Sequence, residues 1–92
     1  MKLEFDAIKN TVNQNKHGFA LALAGELDWE TAMVWIDERF DYQETRMIAL
    51  ALKDDVLFYV AFVDRGTVRR IISLRRANRR EVKHYVNHFE TP

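Results

Sequence analysis

The chain has 92 residues, 48% hydrophobic, 12% aromatic and 30% charged, with 14 Lys+Arg balanced by 14 Asp+Glu. This composition reads as one small globular domain over residues 1–92. It is too short for a large α/β enzyme with its own cofactor domain and too aromatic for a disordered chain. The absence of cysteine excludes a disulfide framework, a thiol nucleophile and Cys-ligated zinc.

The first five residues alternate Lys2 and Glu4 with Leu3 and Phe5, the pattern of a short strand. Asp6 is a helix cap, and a helix is predicted from Ala7 to about Asn15, with Ile8 and Val12 on one side. His17-Gly18 ends it, since glycine is the usual residue past a helix C-terminus, and Lys16 and His17 suit the negative end of the dipole. Residues 19–27 predict a second short helix from their Ala and Leu content, weakened at its end by Gly25. Residues 28–30 read as a connector. Strands are then predicted over 31–37, 45–52, 56–63 and 68–74, joined by the polar stretch 37–43 and by turns at Lys53-Asp54-Asp55 and Asp64-Arg65-Gly66. Short turns between consecutive strands imply an antiparallel meander.

From Ala77 the period becomes helical. Asn78 with Glu81 three residues on resembles a capping box, and Val82, Tyr85, Val86 and Phe89 form an amphipathic stripe. The expected fold is α+β, in the order β-α-α-β-β-β-β-α. The longest apolar run, residues 19–25, lacks the basic flank of a signal peptide and falls far short of the ~20 residues of a membrane span, so a cytoplasmic protein without membrane contact is expected.

Charge is distributed unevenly. Residues 1–64 hold six Lys/Arg against twelve Asp/Glu, and residues 65–92 hold eight against two. A basic end on a neutral chain points to an anionic partner, nucleic acid first and an acidic protein second. The densest cluster runs from Val68 to Arg80. Strict strand alternation places Arg69, Ile71, Ser73 and Arg75 on one face and Arg70, Ile72 and Leu74 on the other. Guanidinium forks suit phosphate, and Arg79-Arg80 near a helix N-terminus oppose the dipole unless they serve an anion. The competing reading pairs these arginines with the acidic first two-thirds of the chain, Arg70 with Glu44 or Asp64 for example.

Other candidates carry less. His84 and His88 stand at i, i+4, yet no third ligand accompanies them, so no metal or other cofactor is expected. The carboxylate pairs Asp37/Glu38 and Asp41/Glu44 read as a solvated loop. Trp29 and Trp35 adjoin apolar runs and read as core or interface residues.

Taken together, Leu3-Glu4-Phe5-Asp6, then Lys9, Asn13 and Asn15-Lys16-His17-Gly18, Asp37-Glu38-Arg39, Glu44-Thr45-Arg46-Met47-Ile48, Asp64-Arg65-Gly66 and Arg70-Ile71-Ile72-Ser73-Leu74-Arg75-Arg76-Ala77 with Arg79-Arg80-Glu81 and Tyr85 resemble the BrnT family of bacterial toxins. Two features depart from that family: the apolar stretch 19–24, where a longer, more acidic helix is usual, and Ala51, where a glycine is common. The resemblance implies a RelE-like fold and an mRNA-cleaving ribonuclease that arrests translation and growth. It implies a BrnA-type antitoxin, a heterotetramer formed through it, and operator DNA bound only through it, so that the complex represses its own operon. With that implied, metal-independent RNA cleavage needs phosphate charge stabilised and protons moved. Arg46, Arg70 and Arg75 are candidates for the first task and Lys16, His17 and Tyr85 for the second, with Arg65, Arg69, Arg76, Arg79 and Arg80 as RNA-binding candidates. The alternative reading is a basic binding module without chemistry, or an inactive toxin kept as a co-repressor component.

Overall fold

The structure, a computed structural model, describes residues 1–39, 41 and 43–90. Its elements are β1 (Lys2–Glu4), α1 (Ala7–His17), a 3-10 helix (Leu21–Glu26), β2 (Asp28–Ile36), β3 (Met47–Lys53), β4 (Val56–Arg65), β5 (Val68–Arg76) and α2 (Arg79–Glu90). The fold is α+β, in the expected order. The strands form one sheet in the order β1-β5-β4-β3-β2. β2 to β5 form the antiparallel meander, and β1 joins β5 in parallel, with Glu4 opposite Arg70.

Local chemistry explains most of the boundaries. The Asp6 carboxylate accepts the Ile8 and Lys9 amides at 2.8 and 3.1 Å, capping α1. Gly18 closes it in the left-handed conformation (φ 82°), which a glycine adopts without steric cost. The second helix is 3-10 rather than α and begins at Leu21. Phe19 and Ala20 stay outside it, Phe19 meeting the Phe58 ring edge-on at 5.2 Å, and the Leu21 amide donates to the Asn10 side chain at 2.8 Å. β2 starts at Asp28, not at Thr31. The Trp29 indole donates to the Ala24 carbonyl at 2.9 Å, which draws the supposed connector into an irregular strand entry. Residues 37–46 form no regular element among those described, and two residues of the predicted turn, Phe40 and Tyr42, lie outside the described residues.

The main core lies on one face of the sheet. There Phe58, Val60 and Phe62 of β4 and Ile71 and Leu74 of β5 pack against Leu21, Ala24 and Leu27. Each such large apolar side chain contributes roughly 1.5–3 kcal/mol. The opposite face carries Trp35, Tyr59 and, from α2, His84. Trp35 makes edge-on contacts with the other two rings, at 6.4 and 6.3 Å. The stripe on α2 is amphipathic as expected, yet Val82, Val86 and Phe89 remain 41–52% exposed, and on α1 Val12 and Ile8 are 56% and 76% exposed.

A β-bulge corrects the facing expected for β5. Arg70 lies opposite Val63 and Ile71 opposite Phe62, but Ser73 lies opposite Ala61, because the register shifts between Ala61 and Phe62. The extra residue, Ile72, inverts the alternation beyond it. Arg70, Ser73 and Arg75 therefore share the face opposite the main core, and Arg69, Ile71, Leu74 and Arg76 share the other.

β1 ends at Glu4, so it covers only the first part of β5. Beyond it, α1 takes over the edge through one side chain. Asn13 is 4% exposed. Its amide donates at 2.8 Å to the carbonyls of Leu74 and Phe19, and its oxygen accepts the Leu74 amide at 3.0 Å. It thus replaces a neighbouring strand at Leu74. Asn13→Ala leaves three backbone groups without this partner, and the expected loss is about 3 kcal/mol of unfolding free energy. Urea denaturation measures it, and Thr11→Ala on the exposed side of the same helix, where the hydroxyl bonds only Ala7 O, serves as the near-neutral comparison.

Candidate functional site

The end of α1 and the bulge of β5 enclose a cleft of about 340 Å³. Lys16 and His17 enter it from the last turn of α1, Ile72 and Ser73 from the bulge, and Arg46 from the residue before β3. Ile8 and Val12 form an apolar lip. Arg46 also lines two adjoining depressions, of about 340 and 250 Å³, which carry the acidic side chains of Asp37, Glu38, Asp41 and Glu44. Its position follows from β2–β3 pairing: the Asp37 amide donates to the Arg46 carbonyl at 2.8 Å, one step beyond the last paired residues, Ile36 and Met47. Three of the six catalytic candidates thus meet in one concavity.

Arg75 stands two residues beyond Ser73 on the same face. Its guanidinium lies 3.9 Å over the Tyr59 ring and forms two 2.8 Å bonds to the Glu81 carboxylate. Burial favours the neutral form of Glu81, but the hydrogen bonds from Arg75 and from the Asn78 amide outweigh it and hold the carboxyl below its ordinary pKa. Glu81 belongs to the anticipated capping box as well: it accepts the Asn78 amide at 2.9 Å, and Asn78 accepts the Glu81 amide at 2.8 Å.

His17 is half-buried. Desolvation is the largest influence on it, followed by the charges of Lys16 and Arg75, and all three push its pKa below the ordinary 6.5. The imidazole is therefore neutral at pH 7, the state in which a histidine accepts a proton.

The remaining candidates occupy other places. Arg70 bonds to Glu4 at 3.2 Å and lies 3.9 Å from Asp6, rather than meeting Glu44 or Asp64. It sits where β1 and α1 meet, beside the cleft and outside its lining. Tyr85 donates to the Thr31 carbonyl at 3.1 Å and lines a separate groove with Leu57, Val82 and Val86, away from Lys16 and His17. Arg65 is gripped by Glu44 at 2.6 and 2.8 Å. Arg69 is gripped by Asp64 at 2.7 and 3.0 Å and stacks over Phe62 and Trp29 on the core face. Arg76, Arg79 and Arg80 are exposed and make no ion pair among the described residues.

The structure also gives roles to residues that were not among the site candidates. Asn13, Tyr59 and Glu81 hold the site's parts in place. Glu81 was visible as a cap but not as the partner of Arg75. Among the described residues no group of three or more His, Cys, Asp or Glu is arranged to hold a metal ion, and no helix is long and apolar enough to cross a membrane.

Residues 5–81 match a family model described as the ribonuclease toxin, BrnT, of a type II toxin–antitoxin system. No curated protein matches the chain.

The environment of His17 gives a direct test. Its Cε1–H resonance is expected to titrate with a midpoint below 6.5, and Arg75→Ala moves that midpoint upward by removing one of the three influences. The linkage has a matching sign. A depressed folded-state pKa makes the His17 contribution to stability complete above 6.5, and it is lost as pH falls from 6.5 through the folded value. A midpoint at or above 6.5 in the wild type contradicts the geometry.

Proposed function

Because the chain belongs to the BrnT family of type II ribonuclease toxins, we propose that the cleft beside β5 cleaves single-stranded mRNA, arresting translation and growth, and needs no metal ion. The observation that carries this reading is the meeting of Lys16, His17 and Arg46 in one concavity, with Arg75 fixed on the same sheet face.

The chemistry fits an RNA substrate. Cleavage through the ribose 2′-hydroxyl requires a base to take its proton, positive donors to stabilise the charge developing on the phosphate, and an acid for the departing 5′-oxygen. A neutral His17 takes the 2′ proton. Arg75 and Arg46 face the phosphate with guanidinium donors, whose planar fork matches its oxygens. Lys16, exposed at the rim, gives a proton to the 5′-oxygen as its bond to phosphorus breaks. Arg70, held by Glu4 and Asp6, is neutralised where it stands and takes no part in this scheme. Tyr85 has no part in this scheme, since its hydroxyl is committed to Thr31 in another groove. Arg76, Arg79 and Arg80, which make no ion pair among the described residues, extend a basic surface for the flanking strand, whereas Arg65 and Arg69 are neutralised by carboxylates. Placement in the cytoplasm, where mRNA and translation are found, belongs to the same reading.

A type II toxin implies an antitoxin. We infer a BrnA-type partner that forms a heterotetramer with this chain and carries the operator-binding surface, so that the complex represses its own operon.

Purified protein incubated with a single-stranded RNA in EDTA tests the catalytic reading. The wild type is expected to cleave. Arg75→Ala and His17→Ala are expected to lose about 10²–10³-fold in rate while retaining the wild-type circular dichroism spectrum. Salt-sensitive RNA binding without cleavage overturns the enzymatic reading in favour of a binding module.

A further inference from the structure

Four arginines among the described residues are held by two bonds to one carboxylate, and they are not held alike. Arg39, Arg65 and Arg69 each use Nε and one terminal nitrogen, Nη2, toward Asp37, Glu44 and Asp64. That is the lateral edge of the guanidinium, one of the two sides on which a pair of N–H groups points the same way. Arg75 is gripped from its end instead: Nη1 and Nη2 both donate to Glu81, and Nη1 donates again to the Arg76 carbonyl at 3.3 Å. A guanidinium has five N–H groups. Three are used here. The two that remain, on Nε and Nη2, lie side by side on the lateral edge and make no hydrogen bond among the described residues.

The grip fixes more than one direction. Tyr59 stacks against the guanidinium plane at 3.9 Å, and Trp35 meets the Tyr59 ring edge-on. Glu81, 17% exposed at its side chain, is itself fixed by the capping box with Asn78. Arg75 keeps 30% of its side chain exposed, so the open edge is reachable. It stands on the face that Ser73 shares with the cleft, close enough for its charge to act on His17.

We propose that Glu81 and Tyr59 are positioning residues: they hold Arg75 by its end and its plane, so that its lateral edge is presented as a ready two-donor fork for an RNA phosphodiester in the cleft. The proposal rests on the RNA-cleaving reading and adds α2 to the site. Holding the guanidinium in advance removes the side-chain ordering that a free arginine undergoes on binding. The first turn of α2, anchored through Glu81, becomes part of the phosphate site, although Glu81 itself touches no RNA.

The experiment uses the full chain and a single-stranded 2′-O-methyl oligoribonucleotide, which binds without being cut. Binding is read by fluorescence anisotropy, and the Arg75 Nε–H resonance is followed in ¹⁵N–¹H spectra. The resonance is expected to shift with the same Kd as the anisotropy. Glu81→Gln, which keeps an oxygen for the Asn78 amide, is expected to weaken binding about tenfold. Removing a negative charge by itself strengthens RNA binding, so this direction separates lost orientation from a change in net charge. Tyr59→Leu, which keeps apolar bulk, is expected to weaken binding as well. In an Arg75→Ala background neither substitution has a further effect, whereas a purely structural role persists there. Unchanged or tighter binding by Glu81→Gln overturns the proposal, and so does a saturated complex in which the Arg75 Nε–H has not moved. In both cases the RNA reading stands. Failure of the wild type to bind the oligonucleotide at all overturns that reading, and the proposal with it.

Discussion

The side chain of Asn13 decides where this molecule can have a cleft. β1 pairs with only the first three residues of β5, and the backbone beyond needs another partner. Asn13 supplies it at Leu74, with donor and acceptor matched to the carbonyl and amide of one residue. A buried carboxamide is suited to this because it offers both polarities, and either polarity left unmet in a dry site is costly. The consequence reaches beyond stability. Seating α1 against the second half of β5 puts its last turn, with Lys16 and His17, beside the strand that carries Arg75.

The bulge completes the arrangement. With unbroken alternation, Arg70 and Arg75 point to opposite faces of the sheet, one into the main core. The extra residue at Ile72 places both on the open face and gives the core Ile71 and Leu74. One insertion in a ladder thus separates two sets of arginines by task. Arg69, on the core face, is neutralised by Asp64 and packed against aromatic rings. Arg75 is fixed by Glu81 and keeps an edge open. The abundance of arginine in residues 65–80 is therefore two things at once: structural pairing with the acidic part of the chain, and a positively charged site.

Much of this was legible in the sequence, and the limits have physical causes. The Asp6 cap, the Gly18 terminator, the Asn78–Glu81 box and the four-strand meander each depend on neighbours in sequence and could be read directly. The parallel pairing of β1 with β5 could not, because it joins residues 66 apart with no local signal. The bulge leaves no mark in an apolar pair such as Ile71-Ile72, since only the partner strand reveals which residue is extra. His17 could be listed as a candidate by residue type, and Lys16 and Arg46 through the family resemblance, but their meeting depends on Asn13, whose role as a substitute strand has no spacing signature. Tyr85 illustrates the reverse. It lies on the right kind of helix stripe, and tertiary packing places it in a different groove.

The central claim is that RNA occupies the cleft face at the bulge, and the adjacent isoleucines offer the sharpest measurement of it. Ile71 points into the core and Ile72 into the cleft. Selectively labelled Ile and Val methyl groups can be observed while an uncleavable single-stranded RNA carrying a nitroxide label is added. The account predicts paramagnetic broadening of Ile72, Ile8 and Val12, with Ile71 much less affected. Broadening centred on Val82 and Val86 of α2, with Ile72 and Ile8 unaffected, would contradict it.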